Sequence, residues 1–219
     1  MSLATSDLAG HWIPLATSDL AGHILSAMSG VIFYYDLGSP YAYLTADRID
    51  LEFDEGVSVE WVPVLLGGIF KATGRSSWAE TPLRADGMAE IAARATARGM
   101  RPFNYPEPWP NNGLRAMRAA VHAHEIGAGR RFARAAFEVQ FNEALPLSDP
   151  DNVELAAHRA GIDPGDLIAA TDDAAVKQKL IENTEAALAA GAIGVPTVVV
   201  GDQAFFGDDR LHEAVALLG

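Results

Sequence analysis

The chain has 219 residues, 49% hydrophobic and 21% charged, and its net charge is −13 because 29 acidic residues outnumber 16 lysines and arginines. A chain of this size can bury a sizeable core, but its negative charge repels phosphate backbones and anionic lipid, so we expect neither nucleic acid nor a membrane as a partner. It contains no cysteine, which excludes disulfides, zinc–thiolate sites and a dithiol redox cycle of its own. The lack of cysteine fits a reducing cytoplasm, which is the expected location.

Residues 1–29 are predicted to be a tail outside the fold, either disordered or foreign to the native chain. The segment Leu3–His11 is repeated letter for letter as Leu15–His23. One short tandem copy is too small to stack into a solenoid. A cloning duplication, a misassigned start upstream of Met28 and a modest native tail all stay open as its origin.

A strand that leads into a capped helix begins the predicted fold. Val31–Tyr35 is β-branched and aromatic, as a buried strand requires, and Asp36-Leu37-Gly38 interrupts it. Ser39 then stands at a helix N-cap and Pro40 at the first helical position, where a missing N–H costs nothing. The hydroxyl is thereby held at the positive end of a helix, which suits an anion such as a thiolate. A purely capping Ser39 is the alternative.

The helix is predicted to run to about Phe53, and Val57–Val64 alternates as a half-buried strand, which together give a right-handed βαβ unit. From about residue 86 to residue 191 the pattern is helical. The segment Arg101–Asn112 contains four prolines and is predicted to be a loop. The candidate helices are Ala85–Arg98, Gly113–Ile126, Arg130–Glu143, Asp151–Ala160, Pro164–Thr171 and Asp173–Ala190.

A second pair of strands is predicted near the end of the chain. Thr197–Val200 and Gln203–Phe206 flank a two-residue turn as an antiparallel hairpin, and Arg210–Leu218 follows as a helix with an aspartate as its cap. Two halves of one four-stranded sheet are therefore separated in sequence by a helical segment.

This order of elements, with Gly194-Val195-Pro196-Thr197 directly before the third strand, resembles the thioredoxin superfold, in which the proline is cis and faces the first helix. The helical insertion narrows the resemblance to the DsbA-like branch, whose Cys-x-x-Cys is replaced here by Ser39-Pro40-Tyr41-Ala42. The predicted fold is therefore α/β and thioredoxin-like with a large all-helical insertion. Its discontinuous domain spans residues 30–66 and 192–219, and the insertion spans residues 67–191.

Five separated motifs, in the right order, resemble the family of 2-hydroxychromene-2-carboxylate isomerase and the kappa-class glutathione transferase. They are Phe33–Leu44, Leu65–Gly74, Leu114–Arg118, Gly194–Thr197 and Phe206–Leu211. The resemblance implies glutathione as the cofactor, with Ser39 donating a hydrogen bond to its sulfur as the catalytic residue. The implied glutathione-binding residues are Val195, Pro196, Asp208, Asp209, Arg210, Lys71 and Arg84.

Each implied glutathione contact has its own chemistry. The backbone of Val195 pairs with the cysteinyl residue, and Asp208 or Asp209 meets the γ-glutamyl ammonium, with simple helix capping as the alternative for these aspartates. Lys71 and Arg84 are candidates for the glycyl carboxylate or an acidic substrate, although relatives tend to have lysine at the position of Arg84. Arg75 stands where relatives often have asparagine.

Tyr41, Asn111 and Asn112 are the residues predicted to face the substrate. Tyr41 and Tyr43 are two positions apart in one helix, so at most one of them faces the site. The two asparagines match a substrate-facing segment of the family. No metal site is predicted, because His122 and His124 lie on different faces of one helix without a third ligand at metal spacing.

The resemblance implies a glutathione-dependent isomerase that acts on a small molecule of aromatic catabolism. The thiolate of bound glutathione would add to a conjugated carbon, permit rotation or ring opening, and leave unchanged. Two alternatives stay open, a kappa-like glutathione transferase and a non-catalytic thioredoxin-like protein that binds a peptide or ligand. Relatives are often dimers, which leaves a homodimer open.

Overall fold

The computed structural model describes residues 30–218, so the predicted tail at 1–29 lies outside the described residues. Within them, a mixed four-stranded sheet has the order β2-β1-β3-β4. Strand β1 pairs parallel with β2 and antiparallel with β3, and β4 extends the sheet beyond β3. The two halves therefore form one four-stranded sheet, as predicted, and the structure shows that they meet along β1. The strands are β1 (Val31–Tyr35), β2 (Val59–Pro63), β3 (Thr197–Val200) and β4 (Gln203–Phe206).

Helices follow β1, fill the segment between β2 and β3, and close the chain. In chain order they are α1 (Pro40–Glu52), α2 (Leu66–Thr73), α3 (Arg84–Ala97), α4 (Leu114–Glu125), α5 (Gly129–Phe141), α6 (Pro150–Arg159), α7 (Pro164–Ala170), α8 (Ala174–Ala189) and α9 (Leu211–Val215). Short 3₁₀ turns occupy Trp78–Glu80 and Asp208–Arg210. The segment between α3 and α4 contains the predicted proline-rich loop.

Two elements differ from the sequence prediction. Helix α2 was not predicted, because its first turn contains Gly67 and Gly68, which weaken a helix. A side chain at Gly68 would lie 3.2 Å from the Thr184 methyl group, so the close packing of α2 on α8 favours glycine there. The predicted aspartate cap of the last helix is wrong: the N-cap of α9 is Arg210, whose side chain makes no capping bond, and the 3₁₀ turn before it follows Gly207 with φ of 112°.

The core joins the sheet to the helical insertion. Phe33 of β1 meets the ring of Trp61 edge-on at 5.0 Å between centroids, and on the insertion side Tyr43 of α1 stacks on Phe137 of α5 at 5.4 Å. These four side chains belong to one buried cluster. Because the insertion shares the core of the sheet, it holds α1 rigidly at the point where Ser39 begins that helix.

Across residues 30–218, no helix combines the length and apolar character needed to cross a bilayer. The same part of the chain brings together no group of three or more histidine, aspartate or glutamate side chains that could hold a metal ion.

Candidate active site

A cavity of about 640 Å³ opens between the end of the sheet and the helical insertion, within the usual size range of small-molecule sites. Ser39 and Val195 form its inner wall, the exposed side of α2 forms a second wall, and Trp78 and Trp109 form a third.

Ser39 is held by both its backbone and its side chain. Its hydroxyl oxygen accepts a hydrogen bond from Ala42 N at 3.2 Å, as a helix cap does, and its backbone N–H donates to Asp36 O at 3.0 Å. The hydroxyl proton is directed at Val195 O at 3.5 Å, the outer limit of a hydrogen bond. Capping therefore uses the acceptor side of this hydroxyl, and its proton is free to turn toward a ligand.

The peptide bond between Val195 and Pro196 is cis, as the resemblance implies. The turn is fixed by a bond from Thr197 Oγ1 to Gly194 O at 2.8 Å and by a bond from Gly207 N to Pro196 O at 2.9 Å. Within residues 30–218, no group accepts a hydrogen bond from Val195 N. An unpaired N–H on a cavity wall is a docking point for an extended peptide backbone.

Two cations stand at the end of α2 that faces the cavity. Lys71 lies in the last turn of the helix, and Arg75 follows it with its guanidinium 5.6 Å from the centre of the Phe206 ring. Neither cation forms an ion pair with a described acidic side chain. Lys71 was predicted, whereas Arg75 was missed as a site residue because it departs from the family pattern.

The third wall is aromatic, and it was not predicted from the sequence. The rings of Trp78 and Trp109 lie 5.5 Å apart, and Tyr41 meets Trp78 edge-on at 6.0 Å. Arg84 does not line the cavity: its guanidinium donates to Trp109 O and stacks over the Trp109 ring at 5.8 Å. In this arrangement Arg84 supports the wall from behind and does not present its charge to a ligand.

The residues predicted to face the substrate do line the cavity, although each already has a partner. The Tyr41 hydroxyl donates to Glu90 at 3.3 Å, while Tyr43 turns into the core. Burial and the nearby Glu90 carboxylate raise the pKa of Tyr41, which therefore stays a neutral donor. Asn112 accepts from Leu114 N at 3.1 Å, and the amide nitrogen of Asn111 makes two long contacts of 3.4 Å, to Pro108 O and to Gln140 Oε1.

Asp208 does not line the cavity, and its carboxylate is engaged inside the protein, so a contact with the γ-glutamyl group stays a prediction. Its carboxylate is buried and accepts two hydrogen bonds from Arg98, at 3.0 and 2.6 Å, and one from Thr45 Oγ1 at 3.2 Å. Arg94 lies 3.5 Å away, and Arg48 binds the Asp208 carbonyl oxygen at 2.7 Å. Such a carboxylate is fully used by internal partners.

Asp209 and Arg210 are exposed residues of the 3₁₀ turn and do not line the cavity. Arg210 pairs with Glu213 at 2.7 Å. A γ-glutamyl contact by either residue stays a prediction.

The comparisons with known proteins agree with this architecture. The model of the DSBA-like thioredoxin domain family matches residues 30–219, so the chain belongs to that family. The predicted fold class and the predicted family resemblance are confirmed. The chain contains no cysteine, so this member of a family named after a disulfide oxidoreductase has no dithiol of its own.

Named relatives refine the family. The chain is 23% identical over 202 residues to glutathione S-transferase kappa 1 of Caenorhabditis elegans, covering 85% of this chain and 89% of that protein. It is 23% identical over 193 residues to 2-hydroxychromene-2-carboxylate isomerase of Pseudomonas putida, covering 86% and 94% respectively. A solved structure of 2-hydroxychromene-2-carboxylate isomerase matches with a TM-score of 0.76 at 23% identity, over 86% of this chain and 94% of that chain.

Proposed function

We propose that the protein is a glutathione-dependent isomerase of the 2-hydroxychromene-2-carboxylate type, acting on a small aromatic molecule. One observation carries the proposal: a serine hydroxyl, at the N-terminus of α1 and beside a cis-proline turn, faces a ligand-sized cavity in a chain without cysteine. A site that lacks its own thiol but keeps the surroundings of one is suited to a thiol brought by a ligand.

Two groups of residues fit glutathione: Val195 and Ser39 suit its cysteinyl part, and Lys71 and Arg75 suit a carboxylate. The unpaired Val195 N–H matches the backbone of a bound tripeptide, and the Ser39 hydroxyl next to it has a proton to donate. Lys71 and Arg75 add positive charge for a carboxylate at the end of α2. The Asp208 carboxylate is turned inward onto Arg98 and adds no charge to the cavity.

When bound, glutathione would supply the nucleophile as its thiolate. The chain's own contribution is electrostatic: the positive end of α1 and the Ser39 proton favour the charged sulfur over the neutral thiol. The Val195 backbone orients the ligand, and the wall of Trp78 and Trp109 offers flat apolar area to an aromatic substrate. A homodimer and a cytoplasmic location stay predictions.

A glutathione transferase is the second candidate, because relatives named kappa-class transferases are as similar as the isomerase. The two reactions are separated by their stoichiometry. Incubation with glutathione and a panel of electrophiles and aromatic carboxylates distinguishes them by mass spectrometry: an isomerase returns glutathione unchanged, whereas a transferase consumes one equivalent for each product. Binding without turnover of any compound in the panel would favour the non-catalytic alternative.

The proposed function is tested most directly by titrating the protein with glutathione while the ultraviolet absorbance of the thiolate is followed. We expect saturable binding and a thiol pKa below that of free glutathione. An absence of binding, or binding with an unshifted thiol pKa, would overturn the proposal.

The two cations at the end of α2, Lys71 and Arg75, give a further prediction. We expect Arg75→Gln and Lys71→Gln each to weaken glutathione binding about 3- to 10-fold, since each removes a charged partner of a carboxylate. Binding should also become less sensitive to salt, because fewer exposed charges are screened. Lys177→Gln is the matched control, since Lys177 lies 3.7 Å from Asp172 at the start of α8 and outside the cavity wall. Equal affinities in all three variants would contradict a carboxylate subsite here.

A further inference from the structure

Asp36 lines the cavity but has no role in the proposed reaction. It follows the last residue of β1, and its two carboxylate oxygens have different partners. Oδ1 accepts from Gly38 N at 2.8 Å, in the loop that carries Ser39, and Oδ2 accepts from Leu66 N at 2.9 Å, at the first residue of α2. One side chain thus connects two walls of the cavity.

Helix α2 depends on such outside support. Its N-cap residue, Leu65, has no side chain able to cap, and the second and third positions of the helix are glycines, Gly67 and Gly68. Leu65 N donates to Thr184 Oγ1 of α8 at 3.0 Å, and Leu66 N donates to Asp36. The beginning of α2 is therefore located by two side chains from elsewhere in the fold.

The arrangement requires both oxygens of an ionised carboxylate. An asparagine has one acceptor oxygen, so its NH₂ group would face one of the two N–H donors. Burial raises the pKa of Asp36, and the bonds from Leu66 and Gly38 act against that rise. A charged group kept in a partly desolvated wall at this cost is characteristic of functional sites.

We propose that Asp36 is a positioning residue that fixes the Ser39 loop and α2, with Lys71, at a set separation across the cavity. The consequence of this spacing rests on the proposed function: it would hold the binding groups for the thiol and for a carboxylate of glutathione at the distance that one bound molecule needs. Its structural part concerns the chain alone and is tested without a ligand.

The ligand-free test is amide hydrogen exchange on Asp36→Asn. We expect faster exchange in both the 36–39 loop and the 65–71 segment. Asp173→Asn is the matched control, because Asp173 accepts a similar bond from Ala175 N at 2.8 Å at the exposed start of α8. That variant should change exchange only near its own helix end. Unchanged exchange in either of the two cavity segments of Asp36→Asn would overturn the coupling.

A second variant breaks the same link from the other side. Leu66 is the first residue of α2, a position that favours proline, and Leu65 before it has the extended backbone (φ −90°, ψ 108°) that precedes proline. Leu66→Pro therefore removes the donor to Asp36 while leaving the helix compatible with its sequence. Leu66→Ala controls for the loss of the side chain.

With glutathione as the probe, we expect Asp36→Asn and Leu66→Pro each to weaken binding about tenfold, the effect of losing one charge-assisted hydrogen bond, and to raise the pKa of the bound thiol. Leu66→Ala should bind nearly as the parent does. If both variants kept the parental affinity and thiol pKa, Asp36 would have a structural role only and the inference would be overturned. If the parent protein bound no glutathione, the proposed function would fail, and the exchange experiment would still decide the coupling.

Discussion

Ser39→Ala should raise the thiol pKa of bound glutathione by about 1–2 units. A hydrogen bond to a charged group is worth about 1.5–3 kcal/mol, and one pKa unit corresponds to about 1.4 kcal/mol. Turnover, expressed as kcat/KM, should fall about 10- to 100-fold at neutral pH, and its rise with pH should shift to higher values. The pKa rises because the Ser39 hydroxyl stabilises the negatively charged thiolate. Without this hydrogen-bond donor, less thiolate is present at a given pH. Thiolate absorbance and a pH–rate profile measure the two effects.

Ser39 also caps α1, so a control must separate capping from chemistry. Ser77 is suitable, since its hydroxyl accepts from Ala79 N at 3.2 Å as a cap and lines the same cavity. Ser77→Ala should cost about 1 kcal/mol of stability at most and leave the thiol pKa unchanged. Ser39→Thr, which keeps a hydroxyl, should restore part of the pKa shift. If Ser39→Ala and Ser77→Ala behaved alike, Ser39 would be no more than a cap.

Asp208→Asn should lower the free energy of unfolding by about 3–5 kcal/mol, as is typical when one partner of a buried ion pair is removed. Its side chain is fully buried, and the change would leave the guanidinium groups of Arg48, Arg94 and Arg98 close together with less opposing charge. Urea denaturation measures the change, as a lower midpoint at a similar slope.

The control for Asp208→Asn is Asp50→Asn. Asp50 also pairs with two arginines, Arg130 at 3.2 Å and Arg134 at 3.0 Å, but those arginine side chains are more than 40% exposed. We expect a loss below about 1 kcal/mol for this more solvated network. Glutathione affinity separates the two possible roles of Asp208. If the role is structural, Asp208→Asn lowers stability but the folded protein keeps its affinity for glutathione. If Asp208 is a ligand, the variant loses binding without the large loss of stability.

The parts of the fold that were predicted correctly are those coded by local chemistry. The strand Val31–Tyr35, the Ser39-Pro40 helix start and the hairpin of β3 and β4 each follow from side-chain pattern and capping within a few residues. The position of Ser39 at a helix start could be predicted for the same reason. The resemblance to the family then indicated that Val195 lies opposite Ser39.

The parts that were missed depend on partners far away in sequence. Asp208 is a residue type that often caps helices, and it stands just before one. Its actual partners, Arg98 and Thr45, are 110 and 163 positions away, so no local pattern reveals them. Helix α2 was missed because its supports, Asp36 and Thr184, are 30 and 119 positions from the residues that they bind. The wall of Trp78 and Trp109 likewise forms only when the 3₁₀ turn Trp78–Glu80 meets the proline-rich loop.

The pairing of β1 with β3 also has a consequence for how the chain is made. The ribosome completes β1 early, but the strand that covers one of its edges comes from almost the opposite end of the chain. At about 5–20 residues per second, β1 waits on the order of 10 s for that partner. Throughout this interval a hydrophobic strand edge is open to other chains. We therefore expect the yield of soluble protein, more than its final stability, to depend on how quickly the helical insertion is synthesised and folded.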